Sequence, residues 1–204
     1  LVTACNNPKL WLSSFPRAKF SDHKYKRGHA LIVGGKTMTG AARLAARSAY
    51  RIGAGMVSVA ASPSVVPVYA NDNPGLIICP ISEVHDFIEL LKDKRKNAVL
   101  VGPGCGVCPE TKEMALLSVL KGKHTVLDAD ALTVFKGDTP NLFSKGKDGL
   151  LVLTPHEGEF AGLFEFTGDK LTKCRLAAVA CNSVVVLKGP DTVIASPDGR
   201  AIIN

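Results

Sequence analysis

An α/β layered fold with a mainly parallel sheet is predicted by three observations. Seven short, continuous apolar runs recur along the chain, the pattern of strands buried on both faces. Longer amphipathic patterns at helical spacing lie between them. The residues that follow five of the runs are Gly, Asp, His or Lys, at the strand ends where such sheets hold ligands.

The 204 residues suit one domain, or one large domain with an arm, and 46% hydrophobic content supplies a core. Disordered, collagen-like and disulfide-scaffold classes are excluded. Residues 1–29 read as a basic N-terminal arm or linker, because Lys9, Arg17, Lys19, Lys24, Lys26 and Arg27 face only Asp22, a net +5. Residues 30–204, the expected domain, are close to neutral. A basic balance favours anionic partners, whether nucleotides, nucleic acid or lipid headgroups, without choosing among them. Trp11, Phe15, Phe20 and Tyr25 could stack on nucleic acid, but are expected to pin the arm onto the domain.

Strands are expected at Ala30–Val33, Met56–Ala60, Leu76–Cys79, Ala98–Val101, Thr125–Leu127, Leu150–Leu153 and Val184–Leu187. Helices are expected at Thr39–Ile52, Glu83–Lys94, Glu110–Lys121, Glu157–Leu163 and Lys170–Cys181. The long uncharged run from Ile52 to Asn71 is broken by Gly53, Gly55, Pro63 and Pro67, so it reads as a helix end, a strand and a turn rather than a membrane span. Arg43, Arg47 and Arg51 recur every fourth residue and read as a solvated row opposite an alanine face. Six cysteines without an apolar leader fit reduced thiols and a cytoplasmic location. Leu1 in place of Met, and the strand-like Ala201–Asn204, read as two cut ends.

The strand-end motifs carry the chemistry. Gly34 to Ala41 is a glycine turn feeding a helix of small residues, suited to close approach of an anion or flat ring, or simply to a tight turn. Gly102-Pro103-Gly104-Cys105-Gly106 lacks the third glycine of a dinucleotide fingerprint, and Gly106 is the residue expected against a bound group. Cys105 and Cys108 form a CxxC at a helix start, where the dipole would lower a thiol pKa, although a structural role is the stronger reading. Asp128 could hold a hydrated Mg²⁺ or a ribose hydroxyl, and Asp130 is expected to cap the short helix after it. His156, between Pro155 and Glu157, is placed to donate to a ligand oxygen or move a proton. Lys188-Gly189-Pro190-Asp191-Thr192 suits phosphate oxygens and can also turn a hairpin into Thr192–Ala195.

In this order, with Arg51-Ile52-Gly53-Ala54-Gly55 between the first two, these segments resemble the ADP/ATP-dependent NAD(P)H-hydrate dehydratase family over residues 30–195. The resemblance implies a ribokinase-like three-layer α/β/α sandwich with a mainly parallel central sheet. It implies that Ala41, Gly106 and His156 line the pocket of the hydrated nicotinamide nucleotide (NADHX or NADPHX), and that Lys188, Gly189, Pro190, Asp191 and Thr192 contact the phosphates of ADP or ATP, with Mg²⁺. Glu157 stands where the family usually has proline. The family's catalytic Asp belongs to a glycine-rich GTGD-like segment expected beyond Asn204, so no catalytic residue is assigned here and the 204 residues alone are expected to be inactive. The resemblance also implies a homo-oligomer, possibly a tetramer, and fusion to an NAD(P)H-hydrate epimerase domain, with neither nucleic acid nor membrane as partner. The alternatives are a ribokinase-like small-molecule kinase and a non-enzymatic module binding nucleic acid through the arm.

Overall fold

The computed structural model describes residues 2–145 and 151–204. Leu1, and Leu150 at the head of one expected strand, lie outside the described residues. The elements in chain order are β1 (Thr3–Cys5), β2 (His29–Val33), α1 (Gly40–Ile52), β3 (Met56–Ala61), α2 (Val66–Ala70), β4 (Ile77–Pro80), α3 (Val84–Lys92), β5 (Lys96–Val101), α4 (Pro109–Leu120) and β6 (His124–Leu127). They continue with α5 (Asp130–Thr133), α6 (Thr139–Phe143), β7 (Leu151–Leu153), α7 (Glu157–Leu163), α8 (Lys170–Ala180), β8 (Val184–Leu187), β9 (Val193–Ala195) and β10 (Ala201–Ile203).

One sheet carries all the strands in the order β1-β10-β9-β8-β7-β6-β5-β2-β3-β4. From β8 to β4 every pair is parallel. The hairpin partner β9 runs against β8, β10 runs against β9, and β1 pairs in parallel with β10. The parallel register sets the burial pattern, because alternate residues point to opposite faces. Leu31, Val33, Val99, Val101, Leu127, Leu151, Leu153, Val185 and Leu187 are buried in one core with side chains of α3, α4, α5, α7 and α8. Ile32, Val57, Val59 and Ala61 form a second core with Ala42 and Ala46 of α1 and Tyr69 of α2. Farther along that second face Val126, Val152, Val184 and Val186 are only half-buried.

The helices begin where side chains can take their orphan amides. Asp86 accepts from the amides of Ser82 (2.7 Å) and Glu83 (3.2 Å) to open α3, and Asp169 accepts from the Thr172 amide (2.8 Å) to open α8. The arginine row of α1 departs from the solvated surface expected. Arg43 and Arg47 each bring a guanidinium nitrogen to 2.6 Å from Asp72, whose side chain is fully buried between them, and the Arg47 hydrogen bond foremost holds that carboxyl below its ordinary range. The pair ties the turn after α2 to α1, and its acid lies 25 residues or more from the arginines, out of reach of local pattern reading.

The arm also departs from expectation. Its aromatics do little to pin it: Trp11, Phe15 and Tyr25 are exposed and Phe20 entirely so, though Tyr25 reaches Arg95 of the domain. Backbone pairing holds it, through β1 on β10 and the Asn6 amide on Ile203 O at 2.7 Å. Trp11 packs instead on Phe15, and the Tyr25 ring lies under Lys24 and Arg95.

Two positions in this framework generate predictions. Gly102 has φ +128° and its missing side chain would fall on the Asp128 carbonyl oxygen and 2.9 Å from Ala131 Cβ. Gly102→Ala is expected to cost roughly 2–4 kcal/mol of stability, read by urea unfolding; an unchanged midpoint would show that the turns can part. At the opposite end of the sheet, buried His29 bonds Ser58 Oγ through Nε2 at 2.7 Å, while its Nδ1 is buried without a partner. Burial first, then the charge of Lys96, depresses its pKa. Its contribution to stability is therefore full above the unfolded value of about 6.5 and is lost as pH falls through that value toward the folded one. The melting temperature is expected to drop between pH 7 and pH 5.5, on the order of one proton's linkage, and to drop less in His29→Gln; parallel curves would exclude His29 as the source.

Candidate functional site

The turns after β2, β5, β6, β7 and β8 all leave the same edge of the sheet, the carboxyl ends of its parallel strands. After β2, the Tyr69 ring occupies the place a Gly34 side chain would need, and its hydroxyl donates to Gly35 O at 3.0 Å. Burial pushes the Tyr69 phenol up to about 12, so it stays a neutral donor. The absent side chain of Gly35 faces the Gly104 carbonyl, and that of Gly104 faces the Met38 carbonyl. The glycine turns after β2 and β5 thus lie backbone against backbone.

Asp128 ends β6, Thr154 follows β7 and Lys188 follows β8, on three neighbouring strands. Lys188 Nζ sits 2.6 Å from Asp128 Oδ1, the same oxygen that accepts from Thr154 Oγ1 at 2.9 Å. Glu159 Oε2 lies 3.8 Å from the same ammonium. The Lys188 amide donates to Pro155 O at 2.8 Å, locking the two loops together.

His156 caps α7. Its Nδ1 accepts from the amides of Gly158 (3.0 Å) and Glu159 (3.1 Å), while its own amide donates to Glu159 Oε2 at 2.8 Å. In the neutral ring this puts the proton on Nε2, which faces Glu159 Oε1 at 3.5 Å, and the side chain is 60% exposed, so the same N–H can also be approached by a ligand. A cleft of about 350 Å³ opens there, lined by His156, Gly158, Glu159, Leu132, Thr133 and Lys136 among others.

Gly106 has φ +88°, open space where a side chain would be, and an amide held by Asp130 Oδ2 at 2.8 Å. The cap expected of Asp130 is corrected by this bond: the residue is the first of α5, and its carboxylate tethers the preceding glycine turn instead. Ala41, the second residue of α1, is exposed at the same edge. In the Lys188–Thr192 loop, Thr192 Oγ1 donates to Gly189 O at 3.0 Å, and Lys170 binds Asp191 at 2.9 Å and holds its carboxyl low. The loop is at once the β8–β9 hairpin turn and part of the edge.

The cysteines turn away from this group. With Gly34, Lys36, Glu83 and Met114 they line a second cleft of about 300 Å³. Burial pushes the Cys105 thiol up to about 11, the opposite of the activation a helix dipole would give, because the sulfur is desolvated. Among the described residues no cluster of three or more His, Cys, Asp or Glu could hold a metal by itself, and no helix is long and apolar enough to cross a membrane. Tyr69, Glu159 as a partner of Lys188, and Lys170 escaped sequence reading; a lone tyrosine in an uncharged run was the one available signal.

Comparison with known proteins bears on the family and the fold. The chain is 36% identical over 207 residues to the bifunctional NAD(P)H-hydrate repair enzyme of Moorella thermoacetica, covering 94% of the chain and 39% of that relative. It thus spans well under half the length of the curated relatives it matches. A solved ADP/ATP-dependent NAD(P)H-hydrate dehydratase from Bacillus subtilis, co-crystallized with ATP/Mg²⁺, is 29% identical and superposes with a TM-score of 0.70, over 93% of this chain and 68% of its own. A ribokinase-like superfamily protein from Enterococcus faecalis, 18% identical, shows the fold alone with a TM-score of 0.84, over 99% of this chain and 71% of its own. Residues 30–204 match the sequence model of the NAD(P)H-hydrate dehydratase family, and the chain belongs to that family.

Proposed function

We propose that this chain handles both nucleotides in the ADP- or ATP-driven dehydration of NADHX and NADPHX to NADH and NADPH. The observation that carries the reading is the row Asp128–Thr154–Lys188 across three strand ends, beside an exposed His156 whose Nδ1 is held as an acceptor by two amides. Membership of the family, and the ATP/Mg²⁺ co-crystal of the B. subtilis relative, support it.

The chemistry asks for little covalent help. Hydroxide is a poor leaving group from C6 of the hydrated nicotinamide ring. Transfer of a phosphoryl group from ADP or ATP to that hydroxyl, whose proton passes to the base expected in the GTGD-like segment, leaves AMP or ADP and a phosphate ester, after which the ring nitrogen's lone pair expels phosphate and C5 loses a proton. Such a transfer rests on alignment and charge. In this reading Lys188 meets the donor phosphates with the N–H that Asp128 and Glu159 leave over, and the Gly189–Thr192 turn lets them approach. Ala41 and Gly106 give room to the hydrated nucleotide and His156 Nε2 donates to one of its oxygens. Mg²⁺ is usually held by one or two carboxylates plus substrate phosphates rather than by an all-protein cage. Asp128 would hold it, and when bound it would neutralise donor charge. The relative's description as bifunctional supports fusion to an epimerase half, and a homo-oligomer belongs to the same reading.

Incubation of a chain that joins these residues to the family's GTGD-like segment with hydrated NADH, ADP or ATP and Mg²⁺ is expected to release inorganic phosphate as the reduced-nicotinamide absorbance returns, and residues 1–204 alone are expected to give little or none. A stable phosphorylated small molecule without that absorbance would point to a kinase instead. Lys188→Ala is expected to weaken ADP or ATP binding about ten-fold in calorimetry while shifting the melting temperature by only a few degrees. A large loss of stability with unchanged affinity would reduce Lys188 to a hairpin residue.

A further inference from the structure

We infer that Lys136 reads a phosphate group of the dinucleotide substrate, in the cleft beside His156; the inference rests on the repair reading above. The cleft of about 350 Å³ has an apolar floor at Leu132 and a wall without bulk at Gly158 and Gly162. It has room for part of a dinucleotide, so the remainder would extend along the edge.

Its charge is decided by what the surrounding groups already hold. Lys188 is assigned to the donor phosphates in the reading above, while Lys170 is paired with Asp191, Lys173 with Glu157 at 3.0 Å and Lys112 with Asp138 at 2.6 Å. Among the described residues, Lys136 has no carboxylate within ion-pair distance. Its stem runs beside α7, where a methyl group at Gly162 would lie 3.7 Å from Lys136 Cδ. The backbone beneath it is fixed by the bond from its amide to Thr133 O at 3.1 Å. At the start of α7 the Gly158 and Glu159 amides are already held by His156 Nδ1, and the Glu159 carboxylate takes the His156 amide. Recognition of an anion in this cleft therefore falls first to the Lys136 ammonium, which carries a fixed charge, since His156 Nε2 already faces Glu159 Oε1 at 3.5 Å. A phosphate is the anion that a hydrated nicotinamide dinucleotide offers. It has two sources in that ligand, the diphosphate bridge and, in NADPHX, the ribose 2′-phosphate.

The two are separated by titrating the protein, Lys136→Ala, Lys136→Glu and Lys136→Arg with NADH and with NADPH, followed by nicotinamide fluorescence at low and high salt, with ADP as the control ligand. Lys136→Ala is expected to lose about ten-fold in affinity, Lys136→Glu more, and Lys136→Arg little. ADP affinity and melting temperature are expected to stay put, because Lys136 is exposed. A loss confined to NADPH assigns the 2′-phosphate, and an equal loss for both assigns the diphosphate. Variants that bind NADH and NADPH as the unsubstituted protein does would overturn the inference alone. An unsubstituted protein that binds neither would overturn the repair reading as well.

Discussion

Adjacent strands of a sheet lie about 4.8 Å apart, and three turns that leave neighbouring strands can share one site only if their backbones keep that spacing beyond the sheet. Gly35, Gly104 and Gly102 meet this constraint. The first two face carbonyl groups of each other's turns, and Gly102 faces the carbonyl of Asp128, which ends the next strand. A side chain at any of these positions would splay the turns after β2, β5 and β6. Asp128 would then leave the position from which it receives Lys188 across β7. The glycines of this edge act first on one another, and the site follows from that contact.

Electrostatics builds on the same geometry. Lys188 spans two strand spacings to reach Asp128, and Thr154, on the strand between, donates to the same carboxylate oxygen. Glu159 approaches from α7 and is itself fixed by the His156 amide. An ammonium held by two carboxylates is oriented but not exhausted, since it has three donors. Arriving phosphate thus meets a positioned N–H rather than a mobile surface lysine, and the ordering cost of that long side chain has been met by folding.

The strands were legible because the parallel part of the sheet is covered on at least one face throughout, and continuous apolar runs such as Val184 to Leu187 leave few alternatives. Helix ends were legible where a cap is local, as with Asp169 and Thr172. Less was readable where a role depends on a distant partner. Arg43 and Arg47 looked like solvated surface because Asp72, which they bury, lies on another element. Asp130 looked like a cap because the Gly106 amide, 24 residues before it, is adjacent only in the fold. The Cys105 thiol was judged by its helix, whereas its desolvation depends on what packs over it. Short α2 and α6, each with a proline in the first turn, carry too few residues for a period to show. At the site, the edge and its order of motifs were readable, while the linkage of Lys188 to Asp128 and Glu159 was not.

A last step concerns which atoms this edge can offer. Glycine turns and helix starts invite the idea that backbone amides cradle the ligand. Beside His156 and Lys188 four such amides are spoken for: that of Gly106 by Asp130, those of Gly158 and Glu159 by His156, that of Lys188 by Pro155 O. Gly106 therefore contributes space rather than a hydrogen bond, and so does the bare wall of α7. Polar recognition along this stretch of the edge passes to side chains held at known angles, Lys188 by two carboxylates and His156 by two amides. Because His156 Nδ1 is committed as an acceptor, its exposed Nε2 is a donor at neutral charge, and the ring can hold a ligand oxygen without first taking a proton from solution.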